Sequence, residues 1–214
     1  MTDGNEPPDL LVCAATDMEL EAFGGVSAGA SQDSFLTGVG IPAALAQTLL
    51  VTGRLRPARL LNIGIAGAYP GSGLSIGDMV MGTSEVYGDI GFELPEAPHF
   101  RHIGASPWGD FYHEPLALTV FPGFAGARGG RGCTVNACTG MEATGRLRER
   151  LFDADFETME GAAVAQAGYV LGVPVCEIRA ISNIASTRDM RPENIKAALG
   201  SLRAYFQQCR ERTP

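Results

Sequence analysis

Short apolar runs alternate along the chain with segments whose apolar residues recur at helical spacing. Seven runs of strand length are apolar or nearly so, at residues 10–15, 34–39, 59–65, 78–86, 116–121, 132–137 and 174–181. A run with no polar interruption, such as 10–15, is typical of a strand that is covered on both faces. We therefore predict that all seven segments are strands.

Helical periodicity follows several of these runs. It is present in four segments, at residues 41–55, 141–151, 159–171 and 192–212. Pro42 falls in the first turn of the first segment, where its missing N–H is not needed. Strands and helices alternate, with a few consecutive strands in the middle, which predicts an α/β fold: a three-layer α/β/α sandwich around a mixed central sheet. We expect a flexible leader at 1–9 and a single domain at 10–214.

Residues 87–115 interrupt this regularity. The segment is rich in glycine, proline and aromatic residues, and it contains the three histidines His99, His102 and His113. A long irregular stretch inside a compact domain is usually functional or mobile. We therefore treat this segment as a candidate contributor to a binding site.

Composition narrows the possible partners. The net charge is −8 and the isoelectric point is near 4.9, so the surface repels nucleic acid and anionic membranes. The five cysteines show no zinc-ligand spacing, and their odd number without an export signal indicates a reducing cytoplasm. No apolar run approaches the roughly 18 residues of a membrane span. We expect a cytoplasmic protein whose partner is a small molecule.

Unusual residues follow two of the strands, where open α/β sheets bind ligands. Thr16 and Glu19 follow the first strand, and acidic residues there either serve chemistry or complement a helix dipole. Ala66 and Gly67 end the third strand, where a ligand can lie on backbone amides unless the glycine only makes a tight turn. The spacing is not that of a dinucleotide-binding fingerprint.

Two further strand ends carry polar residues. Glu160 opens an Ala-rich segment, and it either accepts both hydroxyls of a ribose or caps a helix. Arg179, Ser182 and Asn183 supply donors and an amide at the end of 174–181. Alternatively, Arg179 pairs with an internal carboxylate such as Glu160, and Asn183 makes a turn.

Together these residues resemble a family. The Met159-Glu160 pair before an Ala-rich helix, followed by Arg179-Ala-Ile-Ser182, resembles the nucleoside phosphorylase/nucleosidase superfamily. Within it, the chain is similar to the hydrolases related to 5′-methylthioadenosine/S-adenosylhomocysteine nucleosidase. The resemblance covers residues 10–206 and implies the same α/β/α fold. It also implies a homo-oligomer, a dimer or larger, and no metal or organic cofactor.

The resemblance assigns a role to each candidate residue. It implies that Glu19 activates the attacking water, that Glu160 holds the ribose hydroxyls and that Met159 packs near the sugar. Ala66 and Gly67 correspond to the backbone that lines the ribose and water site. The remaining candidates are Cys138 and Thr139 beside the base, and Arg179 and Ser182 as orienting residues. Cys138 departs from the aromatic residue that the family places against the base.

Two other departures concern the reaction. The loops that carry phosphate-binding arginines in the phosphorylases read Thr16-Asp17-Met18-Glu19 and Asn62-Ile-Gly-Ile here, which favours hydrolysis over phosphorolysis. Asn183 replaces the Asp of adenosine-type nucleosidases, and an amide can donate to O6 and accept from N7–H of hypoxanthine.

This combination resembles the futalosine hydrolases, which implies release of hypoxanthine in menaquinone biosynthesis. The aromatic residues of 87–115 would then surround the bulky 5′ group, with Arg101 or a histidine at its carboxylate. They are Phe92, Phe100, Trp108, Phe111 and Tyr112. The alternatives are a methylthioadenosine-type nucleosidase, a purine nucleoside phosphorylase and a non-catalytic nucleoside-binding module.

Overall fold

The fold was derived from a computed structural model that describes residues 6–24, 34–97, 99–124, 126–187 and 189–212. Within them the chain forms ten strands and five α-helices. The strands are β1 Leu10–Ala14, β2 Ser34–Leu36, β3 Arg59–Ala68, β4 Met79–Tyr87, β5 Gly91–Glu93, β6 Phe100–His102, β7 Leu116–Ala117, β8 Arg128–Thr134, β9 Phe156–Thr158 and β10 Val175–Ile184. The helices are α1 Asp17–Phe23, α2 Ile41–Leu55, α3 Glu142–Phe152, α4 Gly161–Leu171 and α5 Pro192–Arg212.

The elements with the strongest local patterns lie where they were predicted. Helices α2 and α5 have the predicted bounds, and each of the seven predicted strands is present in part. The prediction at 116–121 was wrong beyond β7, because only Leu116 and Ala117 find a partner strand, β4. The helix at 159–171 begins two residues late, because Met159 and Glu160 lie outside it.

Residues 87–115 are less irregular than the sequence indicates. Strands β5 and β6 form an antiparallel hairpin. Two turns of 3₁₀-helix follow, at Ile103–Ala105 and Asp110–Tyr112. Neither strand of the hairpin belongs to the main sheet, so the segment is a separate layer on the domain.

The main sheet is mixed and closes on itself. Strands β2, β1, β3 and β10 are parallel neighbours, and β4 runs antiparallel to β10. Strand β8 joins β4 to β9, and β9 pairs with the last two residues of β3. Strands β3, β10, β4, β8 and β9 therefore form a closed ring, with β1 and β2 as an extension.

Helices cover both faces of the sheet, which confirms the predicted three-layer architecture. On one face, Leu20 of α1 and Phe206 of α5 pack on a cluster that contains Ile63 and Ile178. On the other face, Ala44 of α2 and Ala163 of α4 pack against strand residues. Each fully buried Leu, Ile or Phe side chain stabilises the fold by about 1.5–3 kcal/mol.

Helix α4 is made almost entirely of small residues on its buried side. Gly161, Ala162, Ala163 and Gly168 are among its buried positions. Small side chains let the helix backbone approach the sheet closely, so the N-terminus of α4 lies directly over buried strand residues. None of the helices formed by the described residues is long and apolar enough to cross a membrane.

Candidate active site

Glu19 occupies a capping box and also reaches a neighbouring strand. Thr16 is the N-cap of α1, and its N–H and hydroxyl donate to Glu19 Oε2 at 3.0 and 2.8 Å. The other oxygen, Oε1, accepts the N–H of Ile65 in β3 at 3.0 Å. The side chain is 6% exposed. Glu19 therefore stabilises the start of α1, as the helix-terminus interpretation predicts. It is also bound to the backbone of β3.

Glu160 occupies the N-cap position of α4 but makes no capping hydrogen bond. The first turn is capped by two hydroxyls, because Gly161 N–H donates to Thr158 and Ala162 N–H to Thr134. Glu160 Oε1 instead accepts the N–H of Gly40 at 2.9 Å. The helix-cap alternative was thus wrong. Burial raises the pKa of Glu160, while Arg179 and the Gly40 N–H oppose that shift.

Arg179 is fully buried and forms hydrogen bonds within its own strand and to the neighbouring strand β3. Its Nε donates to Glu177 Oε1 at 2.8 Å, and its Nη1 donates to the carbonyl of Ile63 at 3.4 Å. The alternative that Arg179 pairs with an internal carboxylate is thus confirmed, but the partner is Glu177 and not Glu160, because residues 177 and 179 lie on the same face of a strand. Burial works against the charge of Arg179, but Glu177, Glu160 and Glu19 together raise its pKa.

Gly64 allows Glu19 and Arg179 to meet across β3. A Cβ built on Gly64 would lie 2.3 Å from Arg179 Nη1 and 2.6 Å from Glu19 Oε1. Both atoms therefore lie against the same backbone carbon, which a side chain would block. The coulombic effect of Glu19 on Glu160 also places these carboxylates in one neighbourhood.

Ser182 and Asn183 lie beside Ala66 and Gly67. The Ser182 hydroxyl is 3.2 Å from the Ala66 carbonyl and 3.0 Å from Asn183 Oδ1. Asn183 pairs with Gly67 in the β10–β3 ladder, directly after a register shift, and a Cβ on Gly67 would lie 3.0 Å from Asn183 Nδ2. Both residues lie within strands, so the turn interpretations of Gly67 and Asn183 were wrong.

The loop between β8 and α3 carries Cys138 and Thr139. Thr139 is buried, and its N–H donates to Glu157 Oε1 at 2.7 Å. Arg148 Nη1 donates to Thr139 Oγ1 at 2.8 Å and to Glu157 Oε2 at 3.0 Å. Because Glu157 pairs with Gly67 in the β9–β3 ladder, this ion pair fixes the loop next to the strand end.

Sequence reasoning assigned no role to Glu157 or Arg148. They are 9 residues apart, and no local pattern distinguishes Arg148 from the other arginines of α3. Cys138 is half-buried, as is Met159, which directly precedes Glu160. The structure therefore brings most candidate residues to the ends of β3 and β10 and the start of α4.

Some of the aromatic residues of 87–115 line two separate cavities. One, of about 570 Å³, is bounded by residues that include Phe100, Arg101, His102 and Tyr112. Phe111 borders a second cavity of about 410 Å³, and Trp108 is 78% exposed. Neither cavity is bordered by the candidate residues for the ribose, the water or the base, such as Glu19, Glu160 and Asn183, so the role of this segment stays a prediction.

The described side chains were also compared with the requirements of a metal site. Among the residues that the structure describes, no group of three or more His, Cys, Asp or Glu side chains is arranged to hold a metal ion.

Comparison with known proteins identifies the family. The family model of the phosphorylase superfamily matches residues 32–209. The chain is 34% identical over 174 residues to a futalosine hydrolase of Thermus thermophilus, which covers 78% of this chain and 75% of that protein. It is 27% identical over 226 residues to a 5′-methylthioadenosine/S-adenosylhomocysteine nucleosidase of Maridesulfovibrio salexigens, covering 94% of both.

A solved structure agrees on the fold. The apo form of Arabidopsis thaliana 5′-methylthioadenosine nucleosidase superposes with a TM-score of 0.74 at 17% identity, covering 97% of this chain and 96% of that one. With a family model that matches most of its length and a relative above 30% identity, the chain belongs to the phosphorylase superfamily.

Proposed function

We propose that this protein is an N-glycosyl hydrolase, a purine nucleosidase that cleaves futalosine to hypoxanthine and dehypoxanthine futalosine in menaquinone biosynthesis. The observation that carries the proposal is the buried amide of Asn183 at the strand end that also holds Glu19, Glu160 and Arg179. The similarity to the Thermus thermophilus futalosine hydrolase supports it.

Glu19 is the general base for the attacking water in this proposal. Hydrogen bonds from α1 and β3 fix both of its oxygens, which limits the motion of the base. A positioned carboxylate of this kind contributes about 10²–10⁴-fold to a rate. The backbone of Ala66 and Gly67 lines the path of the water and the ribose.

Glu160 holds the 2′ and 3′ hydroxyls of the ribose. Its Oε1 is oriented by Gly40 N–H, and a carboxylate can accept both hydroxyl protons. Met159 packs against the sugar from the adjacent position. This anchoring orients C1′ toward the water as the ribosyl group acquires oxocarbenium character.

Asn183 recognises the leaving base. Its Oδ1 is within hydrogen-bond distance of the Ser182 hydroxyl, and a carbonyl oxygen has a second lone pair that can accept N7–H of hypoxanthine. The amide NH₂ then donates to O6. Cys138 and Thr139 border the base, and the Glu157–Arg148 ion pair fixes the position of their loop.

Hydrolysis is favoured over phosphorolysis by the charges at the site. Glu19 and Glu160 are both buried there, and Arg179 is already committed to Glu177. A phosphate dianion entering this site would face those two carboxylates, and the Glu177 carboxylate already offsets the charge of Arg179. Water carries no such electrostatic penalty.

The direct test is incubation with futalosine, inosine and methylthioadenosine in phosphate-free buffer, followed by chromatography of the free base. We expect hypoxanthine from futalosine, with much slower release of base from the other two nucleosides. Preferential release of adenine would instead indicate a methylthioadenosine-type nucleosidase, as the full-length similarity to the Maridesulfovibrio salexigens protein allows. A strict requirement for phosphate would indicate a phosphorylase.

We further propose a cytoplasmic homo-oligomer. Tyr169 and Val170 at the end of α4 are 73% and 60% exposed, and adjacent apolar side chains of this kind suit burial against a second copy. Sedimentation of the purified chain measures the assembly.

A further inference from the structure

Behind the proposed catalytic residues lies a second pair of carboxyl groups, Glu85 on β4 and Glu177 on β10. Both are fully buried, and the mechanism above uses neither. A Cβ built on Gly161, the first residue of α4, would lie 2.2 Å from Glu85 Oε1 and 2.8 Å from Glu177 Oε1. The two carboxyl groups therefore flank one point under the start of the helix.

Glycines provide the space that these two groups occupy. A Cβ on Gly132 of β8 would lie 2.0 Å from Glu85 Oε1, and one on Gly82 of β4 would lie 2.9 Å from Glu177 Oε2. Together with Gly161, glycines from three elements leave room for carboxyl oxygens where side chains would otherwise stand. The arrangement is thus built into the backbone of the ring and of α4.

The charges require a proton in this region. Glu85, Glu177, Glu160 and Glu19 all lie around the single guanidinium of Arg179. Four buried carboxylates against one cation would leave uncompensated negative charge in the interior, which is costly. Burial, and then the charge of Glu177, raise the pKa of Glu85 well above its usual range, although the Thr134 hydroxyl opposes the shift.

A protonated Glu85 has a matching acceptor. In the described part of the chain, two buried atoms of this cluster have no hydrogen-bond partner, Glu177 Oε2 and Arg179 Nη2. The two Glu85 oxygens lie 2.7 and 3.4 Å from the hydroxyls of Thr134 and Thr158. A proton on Glu85 makes this group a donor toward Glu177, whose Oε1 flanks the same point under Gly161 as Glu85 Oε1.

We infer that Glu85 and Glu177 share one proton and act together as positioning residues, holding Arg179 against the catalytic carboxylates. The pair then carries one negative charge, which matches the one positive charge of Arg179. With Nε bonded to Glu177 and Nη1 to Ile63, the guanidinium plane is fixed beside Glu19. The kinetic half of this inference rests on the proposed nucleosidase function.

Other titratable groups near Glu85 do not change this picture. Tyr87 on β4 and Cys133 on β8 both interact with Glu85. Burial raises the pKa of each side chain far above neutral pH, so both stay uncharged there. From β10, Glu177 and Arg179 face it, and α4 contributes only Gly161.

The kinetic test compares Glu85→Gln with Glu177→Gln. A glutamine at 85 donates to Glu177 as the protonated acid does, so we expect kcat close to wild type at pH 7. The wild type should lose kcat as pH rises through the raised pKa of Glu85, and Glu85→Gln should keep it. Glu177→Gln removes the charge that orients Arg179, so we expect kcat to fall about 100-fold with little change in KM.

An infrared measurement tests the shared proton without any substrate. We expect a protonated-carboxyl C=O stretching band at pH 7 that disappears in Glu85→Gln and persists in Glu160→Gln and in the exposed control Glu211→Gln. A band that survives in Glu85→Gln would overturn the inference. A loss of kcat at high pH that is as large in this variant as in the wild type would overturn it too. If no nucleoside is hydrolysed, the proposed function fails, while the infrared result still decides on the pair. If Glu177→Gln does not fold, the Glu85→Gln measurements decide.

Discussion

Two pairs of buried glutamates occupy different environments in one domain. The outer carboxylates, Glu19 and Glu160, lie at strand and helix ends and accept backbone N–H groups. The inner carboxylates, Glu85 and Glu177, lie under the first residue of α4 among hydroxyls, an amide and a guanidinium. Burial raises the pKa of both Glu160 and Glu85. At Glu160 the next largest influences, Arg179 and the Gly40 N–H, oppose that shift, whereas at Glu85 the next largest, the charge of Glu177, adds to it.

The contrast is supported by where the glycines lie. Gly64 makes room for Glu19 and Arg179, and Gly82, Gly132 and Gly161 make room for the inner carboxylates. Part of the glycine excess of this chain, 28 residues, thus serves close approach between backbone and charged side chains.

Replacing an outer carboxylate should have the largest effect. Glu19→Gln keeps the shape of the side chain but removes the base, so we expect kcat for futalosine to fall by about 10²–10⁴-fold. Circular dichroism should show a folded protein. Retained turnover would show that Glu19 is not the base. The matched control is Glu85→Gln at an inner position, for which we expect kcat close to wild type at pH 7.

Adding a carboxyl group beside the outer pair should change selectivity. Asn183→Asp lets the side chain donate to N7 and accept from a 6-amino group, so we expect the ratio of kcat/KM values to shift about 100-fold toward methylthioadenosine. The measurement is the release of free base from both nucleosides by wild type and variant. Unchanged selectivity would contradict the role of Asn183 in reading the base.

Blocking the space above the inner pair should destabilise the fold. The Cβ of Gly161→Ala would overlap Glu85 Oε1, and overpacking of this kind costs about 1–3 kcal/mol. The control is Gly200→Ala in α5, where a Cβ meets nothing within 4 Å. We expect denaturant unfolding to show a loss in the first variant and a gain of about 0.4–1 kcal/mol in the second. An equal change in the free energy of unfolding for both variants would mean that Glu85 and its neighbours can move aside for the added methyl group.

The inner pair should also make stability depend on pH. The folded protein keeps a proton on Glu85 above the pH at which an unfolded glutamate loses it, because its pKa is raised. The free energy of unfolding should then fall as pH rises through that window, by up to about 1.4 kcal/mol per pH unit. Glu85→Gln lacks this titration, so its stability relative to wild type should increase as pH rises from the pKa of an unfolded glutamate to the raised pKa of Glu85. A constant difference would indicate that Glu85 ionises normally in the folded state.

Much of the candidate site could be predicted from sequence motifs. Glu19, Glu160 and Asn183 were selected because unusual polar residues follow buried strands, and all three lie at strand or helix ends in the structure. Glu157 and Arg148 were missed because their meeting depends on how α3 packs beside β9. Glu85 was missed because it lies inside a predicted strand, where one acidic residue gives no signal.

The sequence by itself determined the elements that depend on near neighbours. Apolar periodicity set the bounds of α2 and α5 and the position of β1, since helix and strand faces are defined by residues a few positions apart. The sequence left open which charges pair. Tertiary structure decided that Arg179 bonds to Glu177 rather than Glu160 and that Glu160 accepts from Gly40, 120 residues away. The Glu160 contact depends on how α4 packs beside the loop before α2, and the Arg179 contact on burial of β10, because the energy of a buried charge is set by the groups that folding brings around it.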